Sequence, residues 1–366
     1  MAGEVTPGAA GTSRAGDPPF RRTLRVIYPL AEGRIVLRTE QDWNRDVEPD
    51  GPPDGGHTCT FTLESKKPFL YFKPVLRVGD AIFWTPGVNR LVAMTEPDTR
   101  PVYPHFRTAG GGHFAEPIEF DSTRLGRRHR IRVYLPPGYR ENTLKRYPVL
   151  YMQDGQNLFF PDEAFLGQDW RVDRTVGLLD TMSVVDDFIV VGVYSQDRMA
   201  EYTKPGYEAY GASLSSEVKA RIDHDFRTLP GPLDTRVLGS SLGGVVSFFL
   251  AWEQPGVFGG AACLSSTFGY RDDLLERVLG EPRRDVKLYL DSGWPEDNYE
   301  VTVSMAMALV SRGFRYGLDV VHFAFPLAVH DEKSWGMRLH LPLQLFSGIV
   351  RRASSAVNPR ANPAGG

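Results

Sequence analysis

Apolar positions change their spacing once along this chain. From residue 22 to about residue 94 they come in short runs rich in β-branched and aromatic residues, such as "TLRVIYP", "RIVLRT", "CTFTLES", "FLYFKP" and "AIFW". Gly, Pro and Asp clusters separate them, and "EPDGPPDGG" is a long turn that no strand or helix crosses. Strands at this spacing, with no helical period among them, predict a small β-sandwich. "FWTPGVNRL" reads as strand, Pro-Gly turn and strand. Residues 96–117 carry prolines and a glycine run without periodicity and read as a linker.

Beyond the linker the runs are continuous instead of alternating: "HRIRVYLPPGY", "YPVLYMQDG", "DFIVVGVYS", "TRVLGSS", "FGGAACLSS", "VKLYLDSG" and "YGLDVVHFA". Helical patterns over residues 213–225, 244–253, 271–279, 298–312 and 335–351 lie between or after the later strands. A strand buried on both faces does not alternate, so this order predicts a doubly wound, mostly parallel sheet with helices on both faces. The expected division is a disordered tail (1–19), a sandwich-like domain (20–95), the linker (96–117), an α/β domain (118–352) and a second disordered tail (353–366). No internal repeat is found.

Composition narrows the function classes. The 366 residues are 42% hydrophobic and 24% charged, with a formal net charge of -3. That is ordinary globular composition with no electrostatic footprint for nucleic acid or anionic membrane. The basic cluster Arg127 to Arg130 reads as a solvated edge. The two cysteines, Cys59 and Cys263, fall in different predicted domains, and no Cys/His spacing suggests a metal. With no signal-peptide pattern and no spanning segment, the expected location is the cytoplasm.

The chemistry centres on "TRVLGSSLGGVVSFFLA". A β-branched run enters a Gly/Ser cluster and leaves as an apolar helix. Gly239-Ser240-Ser241-Leu242-Gly243 matches G-x-S-x-G, in which a strained strand-to-helix turn holds the central serine out of the sheet. The plain alternative is a tight turn using small residues for packing. A serine hydroxyl needs a base, and the order in this kind of fold is Ser, then Asp or Glu, then His. His322 lies in a strand and His340 in a helix. His330 sits on a loop past a strand end and is favoured as base. In "VKLYLDSGWPEDNYEV", Asp297 is favoured as the acid that orients the imidazole, with Asp291 as the alternative. Backbone N–H groups of Leu242 and of Gln156, after Gly155 in "YMQDGQNLF", are the candidate oxyanion donors. Asp154 reads as an Asx-turn residue.

These stretches, with "RVYLPPGY", "IDHDFRTL" and "AVHDEKSWGMRL", resemble the esterase family of α/β-hydrolases that includes enterochelin esterases, feruloyl esterases and S-formylglutathione hydrolase. The resemblance runs from Arg132 to Leu339 and implies the same three residues: Ser241 as nucleophile, Asp297 as acid and His330 as base. A small β domain before such a core is similar to enterochelin-esterase-like order in particular. The implied partner is a small-molecule ester, with no metal or organic cofactor; a homo-oligomer stays open.

Trp170, Trp335 and Phe159, with Trp294 near strand ends beside them, are expected either to line an aromatic substrate cleft or to pack in the core. Residues 196–211 read as a polar, Tyr-rich lid, substrate-binding loop or plain surface loop, shaped by an Arg198–Glu201 pair. Trp43, Tyr71 and Trp84 form either a carbohydrate-stacking platform or, preferred, part of the sandwich core. The expected activity is serine carboxylic-ester hydrolysis through an acyl-enzyme. The alternatives are an acyltransferase on the same residues and a non-catalytic carbohydrate- or ligand-binding protein of the same fold.

Overall fold

A computed structural model describes residues 20–95, 101–108 and 110–348. The tails expected over 1–19 and 353–366, and residues 96–100 and 109 of the expected linker, lie outside them. The chain forms two compact units. The first holds the described residues up to 108 together with Arg140–Leu144; the second holds Gly110–Tyr139 and Lys145–Gly348.

The first unit is built from β1 (Phe20–Ile27), β2 (Arg34–Thr39), β3 (Asp42–Val47), β4 (Thr58–Ser65), β5 (Phe69–Val78), β6 (Ala81–Trp84) and β7 (Arg90–Ala93). β1 and β4 pair antiparallel, and the other five form a second sheet in the order β3-β2-β5-β6, with β7 also on β5. Alternation places Leu24, Val26, Phe61 and Leu63 of one sheet against Ile35, Leu37, Leu70, Phe72 and Leu76 of the other in one buried core. The sandwich-like reading therefore holds. Val102 bridges Val26 and joins this core with Phe106. The preferred core placement of the aromatics does not hold: Tyr71 is 41% exposed and Trp84 40% exposed, while Trp43 is half-buried. The reason is register. Tyr71 falls between Leu70 and Phe72, both core-facing, so it points to the opposite face.

The second unit contains β8 (His113–Phe114), β9 (Ile118–Asp121), β10 (Arg128–Leu135), β11 (Val149–Met152), β12 (Ile189–Val193), β13 (Thr235–Ser240), β14 (Gly260–Leu264), β15 (Lys287–Trp294) and β16 (Val320–Pro326). They form one sheet in the order β16-β15-β14-β13-β11-β12-β10-β8, with β9 on β10. The strands from β11 onward are mutually parallel, and β10 runs antiparallel to β12. Helices α1 (Val172–Thr181), α2 (Arg198–Tyr202), α3 (Gly206–Ser213), α4 (Lys219–Asp225), α5 (Leu242–Glu253), α6 (Leu274–Gly280), α7 (Tyr299–Ser311), α8 (Glu332–Arg338) and α9 (His340–Ser347) complete it.

Two buried clusters flank this sheet. Tyr151, Val191, Val237, Cys263 and Leu290 pack with α5 on one face. Leu150, Met152, Val190, Leu238, Leu264 and Tyr289 pack with α1 and α9 on the other. Successive residues of one strand serve opposite cores, so the runs read as continuous.

Residues 198–202 and 206–213 form α2 and α3, joined by a short turn, in place of a polar loop. Tyr202, Tyr207 and Tyr210 are fully buried, and Tyr207 stacks on Phe249 of α5 with ring centroids 4.1 Å apart. The last predicted helix divides into α8 and α9, and Pro342 is accommodated in the first turn of α9. Among the described residues no helix is long and apolar enough to cross a membrane.

Candidate active site

Ser241 stands between the end of β13 and the start of α5, with φ 55° and ψ -124°. No unstrained well for an L-residue lies there, and holding a serine in it costs on the order of 1–3 kcal/mol. The glycines make the turn sterically feasible. A Cβ on Gly239 would press into the Gly243 carbonyl oxygen, and one on Gly243 would stand 3.0 Å from Asp154 Oδ2. The backbone N–H of Ser241 donates to the Leu264 carbonyl at 2.9 Å, which ties the turn to the neighbouring strand β14. The Ser241 side chain does not cap α5, and the first N–H groups of that helix have no intrahelical acceptors.

The residue after β14 is the hub of the site. Ser265 takes φ 43°, and its N–H donates to the Asp291 carbonyl at 2.7 Å. Its hydroxyl donates to Asp297 Oδ2 at 2.6 Å and accepts from Arg338 Nη2 at 2.7 Å. Its carbonyl accepts from Asn298 Nδ2 at 2.8 Å. Asp297 lies in the turn between β15 and α7, and the Gly293 N–H donates to its Oδ2 at 2.8 Å. Its other oxygen accepts from His330 Nδ1 at 2.5 Å. Burial works against the Asp297 charge. Hydrogen bonds from His330, Ser265 and Gly293 outweigh it and hold the carboxyl below its ordinary value. His330 follows β16 and meets Trp335 edge-to-face, with ring centroids 4.9 Å apart.

Asp291, the alternative acid, is fully buried within β15. Tyr289 donates to it at 2.8 Å, and Arg338 lies 3.0 Å away. Burial pushes its carboxyl up to about 6, with Arg338 and Tyr289 offsetting only part of the penalty. Arg338 is itself 3% exposed and lies 3.8 Å from Asp297. Sequence reasoning missed Ser265, Tyr289 and Arg338. Their only signal is that each sits beside a motif residue once the strands are aligned.

The turn after β11 differs from its expected form. Asp154, not Gly155, takes the left-handed conformation, with φ 55°. Gly155 is needed for another reason: a Cβ there would lie 2.6 Å from the Tyr194 ring and 2.7 Å from the Gly192 backbone of β12. Asp154 is more than a turn residue. It is buried, accepts from Ser195 Oγ at 2.8 Å and lies 3.0 Å from Arg198 Nε. Burial opposes the charge of Arg198, and the adjacent Asp154 outweighs it, raising the pKa of the guanidinium. The Gln156 side chain is tied back to Ser195 at 3.0 Å. The expected Arg198–Glu201 pair is not formed. Glu201 instead binds Arg127 at 2.5 and 2.6 Å. The solvated-edge reading holds for Arg128 and Arg130, which are exposed, but not for His129, which is fully buried and shares a hydrogen bond with Ser213 Oγ at 2.7 Å.

Trp170, Trp335 and Phe159 are all buried in the cluster that packs under α1 and α9. Trp335 touches both His330 and, at 5.8 Å, Trp170. Phe159 packs among Phe114, Tyr134 and Phe160. Trp294 is 48% exposed.

Sheet order, elbow and the sequence order of serine, aspartate and histidine place the second unit among the α/β-hydrolases. A family model described as "Putative esterase" matches residues 122–341, and the chain belongs to that esterase family. Across 82% of its length the chain is 25% identical to an endo-1,4-beta-xylanase/feruloyl esterase of Xylanibacter ruminicola, of which it spans 40%. It is 23% identical over 158 residues to the uncharacterized protein YbbA of Bacillus subtilis, spanning 58% of that protein. The chain thus covers about half the length of these curated relatives. Among solved structures, the enterobactin esterase FES of Shigella flexneri superposes with a TM-score of 0.52 at 14% identity, covering 91% of this chain and 95% of that one. A ferulic acid esterase of Anaeromyces mucronatus gives 0.52 at 16% identity, over 66% of this chain and 92% of that one.

Proposed function

We propose that the protein hydrolyses carboxylic esters of aromatic acids through Ser241, His330 and Asp297. The observation that carries the reading is the 2.5 Å bond from His330 Nδ1 to Asp297, whose carboxylate also accepts from Ser265, the residue after the Leu264 that accepts from the strained Ser241 N–H. With Nδ1–H committed to Asp297, the His330 ring presents Nε2 as the basic nitrogen. His330 takes the Ser241 proton as the hydroxyl oxygen bonds to the ester carbonyl carbon. The negative charge passes to the carbonyl oxygen, where the N–H groups of Leu242 and Gln156 receive it. The tetrahedral intermediate collapses, the C–O bond to the alcohol breaks, and His330 protonates the departing alkoxide. Water, deprotonated by His330, then cleaves the acyl-enzyme and regenerates Ser241. Trp335, whose ring meets His330 edge-to-face, is the aromatic side chain that supports an aromatic acyl group, since Trp170 and Phe159 are committed to the core. That acyl group is also supported by family relatives named as feruloyl and enterobactin esterases.

The test is hydrolysis of methyl ferulate and p-nitrophenyl acetate by wild type and Ser241→Ala, with fluorophosphonate labelling of both. The expected result is a fall of about four to six orders of magnitude in kcat, loss of labelling and an unchanged melting temperature. Activity that survives in Ser241→Ala would overturn the assignment.

A further inference from the structure

The face of the five-stranded sheet that points away from the core of the first unit carries chemistry that the ester site does not use. Tyr71 of β5 lies there. Trp84 of β6 pairs with Val75, two steps of the alternation further along, and therefore shares the face. Trp43 of β3, Tyr71, Val88, Asn89 and Glu40 line an open cavity of about 400 Å³. The rings are mounted on a buried ionic frame. Arg38, 8% exposed, donates to the Trp43 carbonyl at 2.9 Å and to Asp46 at 2.9 Å. Asp46 also accepts from Arg77 at 2.8 Å. The Arg38 guanidinium lies 5.1 Å from the centre of the Trp84 ring. Glu40 is fixed at both ends: its N–H donates to the Tyr71 carbonyl at 2.9 Å, and its carboxylate pairs with Lys67 at 3.3 Å.

We propose that this cleft binds uncharged polysaccharide. Aromatic faces held rigid and half-exposed match the C–H face of a pyranose ring, and fixing them in advance lowers the ordering cost of binding. The carboxylate of Glu40 accepts from sugar hydroxyls, and the carboxamide of Asn89 both accepts and donates. Glu40, the charged residue of the lining, pairs with Lys67, and the neighbouring Lys73 ammonium is committed to the Gly87 carbonyl at 2.7 Å, so both charges nearest the cleft already have partners. One aliphatic side chain, Val88, is too little for a lipid chain. The proposal is independent of the ester chemistry.

Native gel electrophoresis of the full chain tests it, in gels cast with soluble arabinoxylan, barley β-glucan or soluble starch and in a plain gel. Ser241→Ala serves as the parent so that no ester in the polymer is altered. The expected result is retardation in at least one polymer gel. Tyr71→Ala and Trp43→Ala are each expected to weaken the apparent affinity about tenfold, the scale of losing one aromatic anchor. Thermal melting confirms that the variants fold, and Asn89→Ala provides a milder substitution in the same cleft if Trp43→Ala does not. Unaltered mobility of the parent in all three polymer gels would overturn the proposal. So would equal retardation of the parent, Tyr71→Ala and Asn89→Ala. Light scattering that shows a dimer dissociated by Tyr71→Ala would instead assign the face to a second copy of the chain.

Discussion

Ser265, Gly293 and His330 occupy both oxygens of the Asp297 carboxylate, and the charges of Asp297, Arg338 and Asp291 make distinct predictions. Asp297→Asn keeps the size of the side chain but offers His330 Nδ1 an amide in place of a charge, so kcat should fall about 10³- to 10⁴-fold with KM little changed. Rapid-quench or steady-state rates on p-nitrophenyl acetate check this. Arg338 faces Asp291 at 3.0 Å and Asp297 at 3.8 Å, and both acids are buried. Asp291 titrates near 6 in the folded chain against 3.8 in the reference state. Between those values the folded state holds the extra proton, so this group's contribution to stability falls as pH rises through the window. Removing the cation in Arg338→Met should push the Asp291 value higher still. The stability lost by that variant should then be smallest near pH 5 and grow towards pH 8, as read from urea unfolding at each pH. A loss that is the same at both pH values would sink this account.

At the scale of elements, the elbow depends on backbone meeting backbone. A methyl group at Gly239 meets the Gly243 carbonyl, which no rotamer change relieves. Gly239→Ala should cost about 1–3 kcal/mol and lower the melting temperature while also depressing ester turnover. A variant with wild-type melting and turnover would refute that reading of the turn. This element was legible in advance because its requirements are contiguous: strand, small residues, helix. The parallel sheet was legible for a related reason, since burial of both faces leaves a local trace in apolar runs. The helices at residues 198–211 were not. Tyr202, Tyr207 and Tyr210 look polar in sequence, and only their packing against α5 makes them core residues. Asp297 and His330 could be named from their loops, but the network beneath them could not. Ser265, Tyr289 and Arg338 are individually unremarkable and far apart in the chain. Tyr71 shows the same limit from the other side, because an aromatic in a strand reads as core until the register is known.

At the scale of the molecule, each unit has a core of its own. Phe61 is fully buried in the first and Phe248 in the second. Phe61→Ala and Phe248→Ala should each cost about 3–5 kcal/mol. Each loss should appear as a lowered transition of its own unit in calorimetry, followed separately by Trp84 and Trp252 fluorescence in single-tryptophan backgrounds. A single transition that moves identically in both variants would show that the chain unfolds as one.

The bond from Ser241 N–H to the Leu264 carbonyl also bears on the order of folding events. Residue 241 follows β13 and residue 264 ends β14, the parallel strand joined to it through α5, so their bond is non-local and late compared with helix formation. Until β11, β13 and β14 align, nothing holds the serine in its strained conformation, and the isolated α5 sequence would relax out of it. Helical signal on refolding should therefore return before reactivity does. The strained turn is a built-in clock for completion of the sheet, and a fluorophosphonate added during refolding would read it.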